Sequence, residues 1–326
     1  MPSWRRSTTR HIDILYANHW PEVVPLLAEW VRPGDALVTE DAPSPEFVQM
    51  LAGDLPIDDY LMLTDIEFPE FGRRMCRLWQ RLHQAGVTVI QVEPFIEKLL
   101  EIHTLFATGG TPDQIEKDSI RGQVYQAERE AIGALIEFYQ ASLAADFDTV
   151  VDATLRFARC DARRFVLRDR MRAEAIARLL ATHPRLCVEA GQIHLALVRF
   201  LRRRVPETVA VKPVFLMRTI VRRLGGRGHL YPPGDLLTLL YVFNREALDR
   251  PRHRLLAARA LIYAKVAAKD EIVQDAGLYP RTLDDLRTIA LVNRLSYRDC
   301  HEMFAKIRRQ AGAGARQALA VYLRRP

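Results

Sequence analysis

The chain alternates short apolar runs, rich in β-branched residues, with longer stretches in which apolar residues recur every three or four positions. The short runs predict β-strands and the longer stretches predict amphipathic helices. Strands are predicted over residues 11–16, 36–39, 88–92, 186–189 and 209–216. Because helical patterns separate these runs, the order is typical of β-α-β units, which join parallel strands of one sheet.

Helical periodicity is continuous over two long regions. Residues 95–181 carry almost no strand signal, and a helix start is marked at Pro112 and Asp113. The helix predicted over 114–144 is expected to break near Gly122 or Gly133. After the glycine-rich loop that ends at His229, residues 235–326 carry helical patterns only. The other predicted helices are 23–31, 46–52, 72–84, 96–106, 150–159, 161–181, 197–204, 236–244, 252–268, 283–292 and 297–310.

These patterns predict an α/β fold class, with a mostly parallel central sheet flanked by helices and an all-α C-terminal region. We expect residues 1–224 to form the α/β domain, with a large helical insertion at 95–181. Residues 235–326 are expected to form a separate, basic helical region. A chain of 326 residues is long enough to build both cores.

A histidine or a carboxylate stands at the end of four predicted strands. These residues are His19, Glu40, Glu93 and His194, the last of which closes Gly191-Gln-Ile-His194. Since the carboxyl ends of parallel strands form the ligand crevice of an open α/β sheet, the four side chains are expected to converge on one pocket. Two imidazoles and two carboxylates in one pocket indicate a metal site or an acid/base site.

A further motif, Arg168-Asp169, begins the predicted helix segment that leads into the fourth strand. Together with Met171, the alanine-rich helix, the apolar strand and Gly191-x-x-His194, it resembles the superfamily of erythromycin-esterase-like, ChaN-like and TraB-like proteins. The strand ending in Tyr16-Ala-Asn-His19, followed by a helix and a strand ending in Glu40, is similar as well. The resemblance covers residues 11–200. The sequence departs from the superfamily pattern where Tyr16 replaces a glycine and where Arg172 separates Met171 from Ala173.

The resemblance implies an α/β fold whose histidines, acidic residues and arginine line a site for metal-assisted or acid/base hydrolysis. A metal would lower the pKa of its bound water, and Arg168 would stabilise the developing oxyanion. Mixed imidazole and carboxylate ligands favour manganese, zinc or cobalt. The expected substrate is a small molecule or a peptide. The implied catalytic residues are His19, Glu40, Arg168, Asp169 and His194, and the implied metal ligands are His19, Glu40, Glu93 and His194.

Each candidate also has a structural interpretation, which the sequence leaves open. Glycine before a histidine permits close approach of the backbone, but a polar residue at a strand end is also a common cap or turn residue. Glu189, inside the fourth predicted strand, is either a second site carboxylate or a buried partner of an arginine. For the other candidates, the alternatives are a helix cap or core position for His194, an arginine partner for Glu40, a polar turn for His19, a strand end for Glu93, and an ion pair or helix cap for Arg168 and Asp169.

Charge differs strongly between the two halves of the chain. Residues 1–194 carry 21 Lys and Arg against 29 Asp and Glu, whereas residues 195–326 carry 26 against 11. Such asymmetry indicates a polyanionic partner or attraction between parts of one chain. The alternative to an enzyme is therefore a binding module in which residues 195–326 hold nucleic acid or an acidic partner. The arginine runs, 202–204, 222–223 and 308–309, are short and more typical of solvated helix faces.

Cysteine spacing and hydropathy indicate the compartment. The four cysteines, Cys76, Cys160, Cys187 and Cys300, show no C-x-x-C spacing, which argues against a zinc ribbon or a disulfide framework. No stretch approaches the roughly 20 apolar residues that span a bilayer, and the first ten residues lack an apolar signal region. We therefore expect a cytoplasmic protein without a membrane span.

Overall fold

The computed structural model describes residues 10–64, 67–243, 251–272, 278–310 and 312–324. Within them, five strands form one sheet in which every pairing is parallel, in the order β3-β2-β4-β1-β5. The predicted α/β class is confirmed, and each strand lies within two residues of its predicted position. The strands are β1 His11–Ala17, β2 Ala36–Thr39, β3 Thr88–Gln91, β4 Arg185–Gly191 and β5 Ala210–Phe215.

Helices connect the strands and make up the rest of the described chain. Short 3₁₀ turns at Pro21–Val23 and Pro112–Gln114 lead into two of them. In chain order the helices are α1 Val24–Trp30, α2 Pro45–Ala52, α3 Ile57–Leu63, α4 Pro69–Gln84, α5 Pro94–Ala107, α6 Ile120–Ala144, α7 Phe147–Leu179, α8 Ala196–Arg204, α9 Arg218–Arg223, α10 Pro233–Phe243, α11 Pro251–Val266, α12 Pro280–Val292, α13 Tyr297–Ile307 and α14 Ala313–Tyr322.

The chain divides into two compact units. Unit one comprises residues 1–109 and 168–217 and holds the whole sheet, and unit two comprises residues 110–167 and 218–326. The domain limits expected from the sequence, 1–224 and 235–326, place residues 110–167 in the same domain as the sheet, whereas the structure places them in unit two. The structural division follows from side-chain packing, since Cys160 of α7 is buried against Ala131 and Ala134 of α6. Helix α7 therefore contributes to both units.

The sheet of unit one is covered on both faces, as a parallel sheet requires. Alternate residues of β1 point to opposite sides. Ile14 and Tyr16 pack with Ala173, Ile176 and Leu180 of α7 and with residues of α8. Leu15 packs on the other side with apolar residues of α1, α2 and α4. These two cores hold the strand ends in fixed register.

Three features of the helices differ from the predicted pattern. Helix α7 is continuous where two helices, 150–159 and 161–181, were predicted, because no glycine or proline interrupts it. Helix α6 has no break, since Gly122 lies in its first turn beside the capping Ser119 and Gly133 leaves the helix intact. Helices α3, α9 and α14 were not predicted, because they are short and bury few side chains.

Unit two is helical throughout its described part. Helix α11 packs against α10, α12, α13 and α14, and its buried face includes His253, whose ring lies edge-on to Tyr241. A buried ion pair between Arg281 and Asp285 lies within α12. None of the helices in the described residues of the chain has the length and apolar character needed to cross a membrane.

Candidate functional site

Four neighbouring strand ends meet at the carboxyl edge of the sheet in unit one. The order β3-β2-β4-β1 places Glu93, Glu40, Gly191 and the segment before His19 side by side. The C-terminal half of α7, where its unit-one part begins, brings Arg168, Asp169 and Arg172 to the same edge. We call this group, with Glu189 and His194, the carboxyl-edge site. All of its members belong to unit one.

His194 is locked between two carboxylates. The turn after β4 is closed by a bond from the His194 amide to the Gly191 carbonyl, and it turns the imidazole inward until only 2% of the residue is exposed. Nδ1 lies 2.5 Å from Asp169 Oδ1 and Nε2 lies 2.7 Å from Glu40 Oε1. Burial lowers the pKa of His194, but the two carboxylates outweigh it and raise that pKa to about 9. His194 is therefore an imidazolium at neutral pH, and each ring nitrogen donates a hydrogen bond.

Glu40 accepts hydrogen bonds and charge from several sides. Its Oε2 accepts from the Gly191 amide at 2.8 Å and lies 3.4 Å from Arg172, while its Oε1 faces His194 and lies 3.6 Å from Arg168. Burial alone would raise the pKa of this carboxyl, but the charges of His194 and Arg172 hold it well below its usual range. Glu40 therefore remains a carboxylate and acts as an acceptor and an anchor.

Arg172 is the largest fully buried side chain in the described chain, and the sequence analysis predicted no role for it. Its Nε donates to the Val92 carbonyl at 3.0 Å and its terminal nitrogen donates to the Glu189 carbonyl at 2.7 Å. Since Val92 follows β3 and Glu189 lies in β4, Arg172 joins two strand ends and also faces Glu40, which follows the strand between them. It is a positioning group for the whole site.

Arg168 and Asp169 do not pair with each other. Asp169 is 1% exposed and bonds His194, whereas Arg168 donates to Glu93 Oε2 at 3.1 Å. Burial lowers the pKa of Arg168, but the Glu93 and Glu40 charges raise it above its usual value. Glu93 is fully buried at the N-terminus of α5 and faces this guanidinium. The pair holds the β3 end against α7.

One small space lies at the centre of the site, beside Gly191. A β-carbon built on Gly191 would lie 3.6 Å from His194 Cδ2, 3.8 Å from Glu40 Oε2 and 3.8 Å from His19 Nε2. His194 presents a carbon there because both of its nitrogens are engaged. An atom placed slightly farther from Gly191 would thus lie near His19 Nε2 and Glu40 Oε2. His19 is exposed, and its ring stacks on Phe71 with the centroids 5.5 Å apart.

His19 and Glu40, which border this space, also line a cavity of about 420 Å³, within the size range of small-molecule sites. Its polar floor comes from the strand ends and includes Glu40, Asp41 and Glu189. A largely aromatic wall comes from α3, from Phe68 just before α4, and from α4, where residues four apart face the cavity together. The wall residues are Tyr60, Phe68, Phe71, Met75 and Trp79.

Two acidic residues of the cavity hold protons more tightly than free side chains do. Burial raises the pKa of Glu189 to about 8, although a hydrogen bond from Trp79 Nε1 at 3.1 Å opposes the shift. Burial and the neighbouring Glu40 charge raise the pKa of Asp41. At neutral pH Glu189 is therefore mainly a neutral acid, able to donate a hydrogen bond or a proton.

The four residues expected to hold a metal do not form a donor set as they are placed. His194 has both nitrogens engaged by carboxylates, and Glu93 faces Arg168 rather than the cavity. Only His19 and Glu40 of that set line the cavity. The described part of the chain contains no group of three or more His, Cys, Asp or Glu side chains arranged to hold a metal ion. A manganese, zinc or cobalt site stays a prediction.

The structure brings every sequence-predicted site residue to one edge of the sheet, but it divides them between two kinds of position. His19 and Glu40 line the cavity, whereas Glu93, Arg168, Asp169 and His194 lie behind it as a buried ionic network. Sequence reasoning gave no role to Arg172 or Asp41. Asp41 directly follows Glu40 at a strand end, so the strand-end criterion applies to it as well. Arg172 lies on the helix face that carries Arg168, which is a weaker signal.

Fold and site together describe an α/β protein with a doubly covered parallel sheet and an acidic, imidazole-containing cavity at its carboxyl edge. The chain is similar to an uncharacterized protein of Archaeoglobus fulgidus, with 28% identity over 272 residues, which cover 82% of this chain and 88% of that protein. No protein-family profile matches the chain. No solved structure matches it.

Proposed function

We propose that this protein is a hydrolase that cleaves an ester or a related acyl bond by acid/base chemistry in the carboxyl-edge cavity. One observation carries the proposal: His19 Nε2 and Glu40 Oε2 face the same point beside Gly191 at equal distances of 3.8 Å. A water molecule bound beside that point would contact His19 as a base and Glu40 as a hydrogen-bond acceptor. The superfamily resemblance, which implies hydrolysis, supports the same chemistry.

The roles follow from the state of each group. His19, in its neutral form, takes a proton from the water as the oxygen attacks the acyl carbon. Glu40 stays ionised and orients the water, because His194, Arg172 and the Gly191 amide fix its position. Glu189, which is protonated below pH 8, gives its proton to the departing oxygen as the carbon–oxygen bond breaks. The His19 proton returns to Glu189 through solvent, and a carboxylic acid and an alcohol leave.

The ionic network behind the cavity preorganises this arrangement. Arg168 was expected to stabilise an oxyanion, but its guanidinium faces Glu93 and Glu40 and does not line the cavity. We assign it a positioning role instead. Fixed charges that need no reorganisation during the reaction are an effective source of catalysis. The network of Arg168, Arg172, Asp169 and His194 has this character.

The test is hydrolysis of p-nitrophenyl acetate, butyrate and benzoate by the purified protein and by His19→Gln. We expect wild-type turnover and a loss of kcat/KM of about 100-fold to 10,000-fold in the variant, because a positioned general base contributes that range. His103→Gln is the matched control, since His103 is exposed on α5 away from the cavity. Equal rates for His19→Gln and wild type, or no turnover by folded wild type on any of these esters, would contradict the proposal.

A divalent-metal mechanism is the second form of the same proposal, and elemental mass spectrometry on untagged protein separates the two. We expect far less than one metal per chain and unchanged ester hydrolysis after chelation, because the His194 imidazolium would have to lose a proton and release Glu40 before either could coordinate. Stoichiometric manganese, zinc or cobalt that is lost in His194→Ala, together with loss of activity, would favour the metal-dependent form.

A further inference from the structure

Two acidic residues that line the cavity, Asp41 and Glu67, take part in no ion pair among the described residues. Within those residues, the acidic lining residues are Glu40, Asp41, Glu67 and Glu189, and His19 is the one lining residue that can carry positive charge. Glu40 pairs with His194, Arg172 and Arg168, and Glu189 is mainly a neutral acid at neutral pH. Asp41 and Glu67 are therefore the acidic lining groups with which a cationic ligand would pair.

The cavity also has an aromatic wall. Tyr60 of α3, Phe68 just before α4, and Phe71 and Trp79 of α4 line the cavity, and the Phe71 ring stacks on the His19 ring. Aromatic faces attract cations through the ring quadrupole, and most strongly cations that shed water easily. Carboxyl groups and aromatic rings in one cavity are complementary to an alkylated ammonium group. A bare metal ion matches less well, because no group of three or more His, Cys, Asp or Glu in the described residues is arranged to hold one.

We propose that the cavity recognises a substrate that carries an organic cation, a quaternary or protonated tertiary amine, between Asp41 and Glu67 and the aromatic wall. The inference rests on the proposed hydrolase function and deepens it, since the cation would place the scissile acyl group near Gly191. A cavity of about 420 Å³ has room for such a group together with an ester.

Choline and 3,3-dimethylbutan-1-ol form a matched pair of probes, because they share a shape and differ in charge. Isothermal titration of the wild-type protein should show choline binding about 10-fold more tightly than its neutral isostere, as expected for a desolvated cation on aromatic faces and carboxylates. The Asp41→Asn variant should reduce this preference to about 3-fold or less. Asp54→Asn, an exposed position outside the cavity, should leave both affinities unchanged.

The same pair, as benzoate esters, separates this inference from the proposed function. A kcat/KM preference of about 10-fold for the choline ester supports both. Preferential choline binding with no hydrolysis of either ester would leave the cation site standing and overturn the hydrolase. Hydrolysis of both esters at equal rates, with equal affinities for the two alcohols, would overturn the cation site alone. If Asp41→Asn does not fold, Glu67→Gln gives the same reading, because Glu67 is exposed at the cavity rim.

Discussion

The charge of His194 governs the stability of the carboxyl-edge site. Its pKa of about 9 exceeds its ordinary value of 6.5, so the folded state binds a proton more tightly than the unfolded chain does. The resulting stabilisation is complete below pH 6.5 and is lost as the pH rises through 9. The pKa of Glu189 is raised from 4.5 to about 8, so this residue also lowers the free energy of unfolding as the pH rises from 4.5 to 8.

Urea denaturation between pH 6 and 9.5 tests this linkage. We expect the free energy of unfolding of wild type to fall across that range, with at most about 3 kcal/mol from His194, since one pKa unit corresponds to about 1.4 kcal/mol. Asp169→Asn removes one of the two charges that raise the His194 pKa, so its curve should fall less steeply than wild type. Asp54→Asn should reproduce the wild-type slope. A pH-independent wild-type curve would show that His194 is not held as an imidazolium.

Gly191 matters because of the space beside it. In Gly191→Ala the new methyl group would make ordinary van der Waals contacts at 3.6 to 3.8 Å with His194, Glu40 and His19, so the fold should tolerate it. The methyl would, however, occupy the position from which His19 and Glu40 reach a water molecule. We expect an unchanged melting temperature within a few degrees and a loss of kcat/KM of about 100-fold or more.

Gly133→Ala is the control for that substitution. Gly133 lies within α6, where an added β-carbon meets nothing within 4 Å, so the change should leave activity intact and add up to about 1 kcal/mol of stability. Full activity in Gly191→Ala would contradict the assignment of the space beside Gly191 to the reacting water. A large fall in melting temperature would instead assign Gly191 a packing role.

The sequence identified residues of the site where position alone carried the signal. His19, Glu40 and Glu93 were found because each follows a buried strand, and parallel strands end at a common edge. Their division into cavity-lining and buried residues depends on rotamers and partners, which spacing does not encode. Asp169 was predicted as a catalytic residue, with an ion pair to Arg168 or a helix cap as the structural alternative. In the structure it bonds His194, 25 residues along the chain, a pairing that spacing alone does not reveal.

At the scale of elements, α7 is the part that fixes the site. Its arginine at position 172 donates to carbonyls that follow β3 and lie in β4 and faces Glu40 after β2. We expect Arg172→Lys to lower the free energy of unfolding by about 3 kcal/mol, because an ammonium group cannot make the same divergent bonds and buried acceptors lose their donors. Chemical denaturation measures this. Arg178→Lys, an exposed position on α7, should change stability by less than about 0.5 kcal/mol.

Strands were easier to predict than helix boundaries for a physical reason. Each strand lies in a short run dominated by apolar residues and bounded by turn residues, a pattern favoured when a sheet is covered on both faces. Helical periodicity instead continues through positions where a helix can end, so 150–159 and 161–181 appeared as two helices although they form α7. The short α3 buries only Tyr60 and leaves almost no periodic signal.

At the scale of the whole molecule, the charge asymmetry depends on how the chain is divided. Split at His194, the C-terminal part is strongly basic. Counted over the structural units, unit one carries 19 Lys and Arg against 20 Asp and Glu, and unit two carries 28 against 20. The basic segment 195–217 belongs to unit one and offsets the acidic residues around the sheet. Grouped by structural unit, the charges of unit one nearly cancel, whereas unit two keeps an excess of positive charge.

Three arginines of the basic runs already have partners inside the protein. Arg202 donates to the Val211 carbonyl, Arg204 pairs with Glu174 at 2.5 Å, and Arg308 donates to the Ser142 carbonyl at 2.8 Å. Guanidinium groups used in this way contribute little to phosphate binding, which relies on accessible cations. Of the arginines in these runs, Arg203, Arg222, Arg223 and Arg309 are exposed and are the first candidates for phosphate contacts in the binding-module alternative.

Salt-dependent RNA binding decides between that alternative and a non-specific effect of the net charge of +7. We expect fluorescence anisotropy with a labelled single strand to show weak binding at 50 mM salt that vanishes by about 200 mM, since a few phosphate contacts lose affinity steeply with salt. The slope of log affinity against log salt concentration reports the number of phosphate contacts. Replacing Arg222 and Arg223 with glutamine should reduce that number by no more than about two. Micromolar or tighter binding that persists at 150 mM salt, and that this double variant abolishes while ester hydrolysis is intact, would establish a second, polyanion-binding role in unit two.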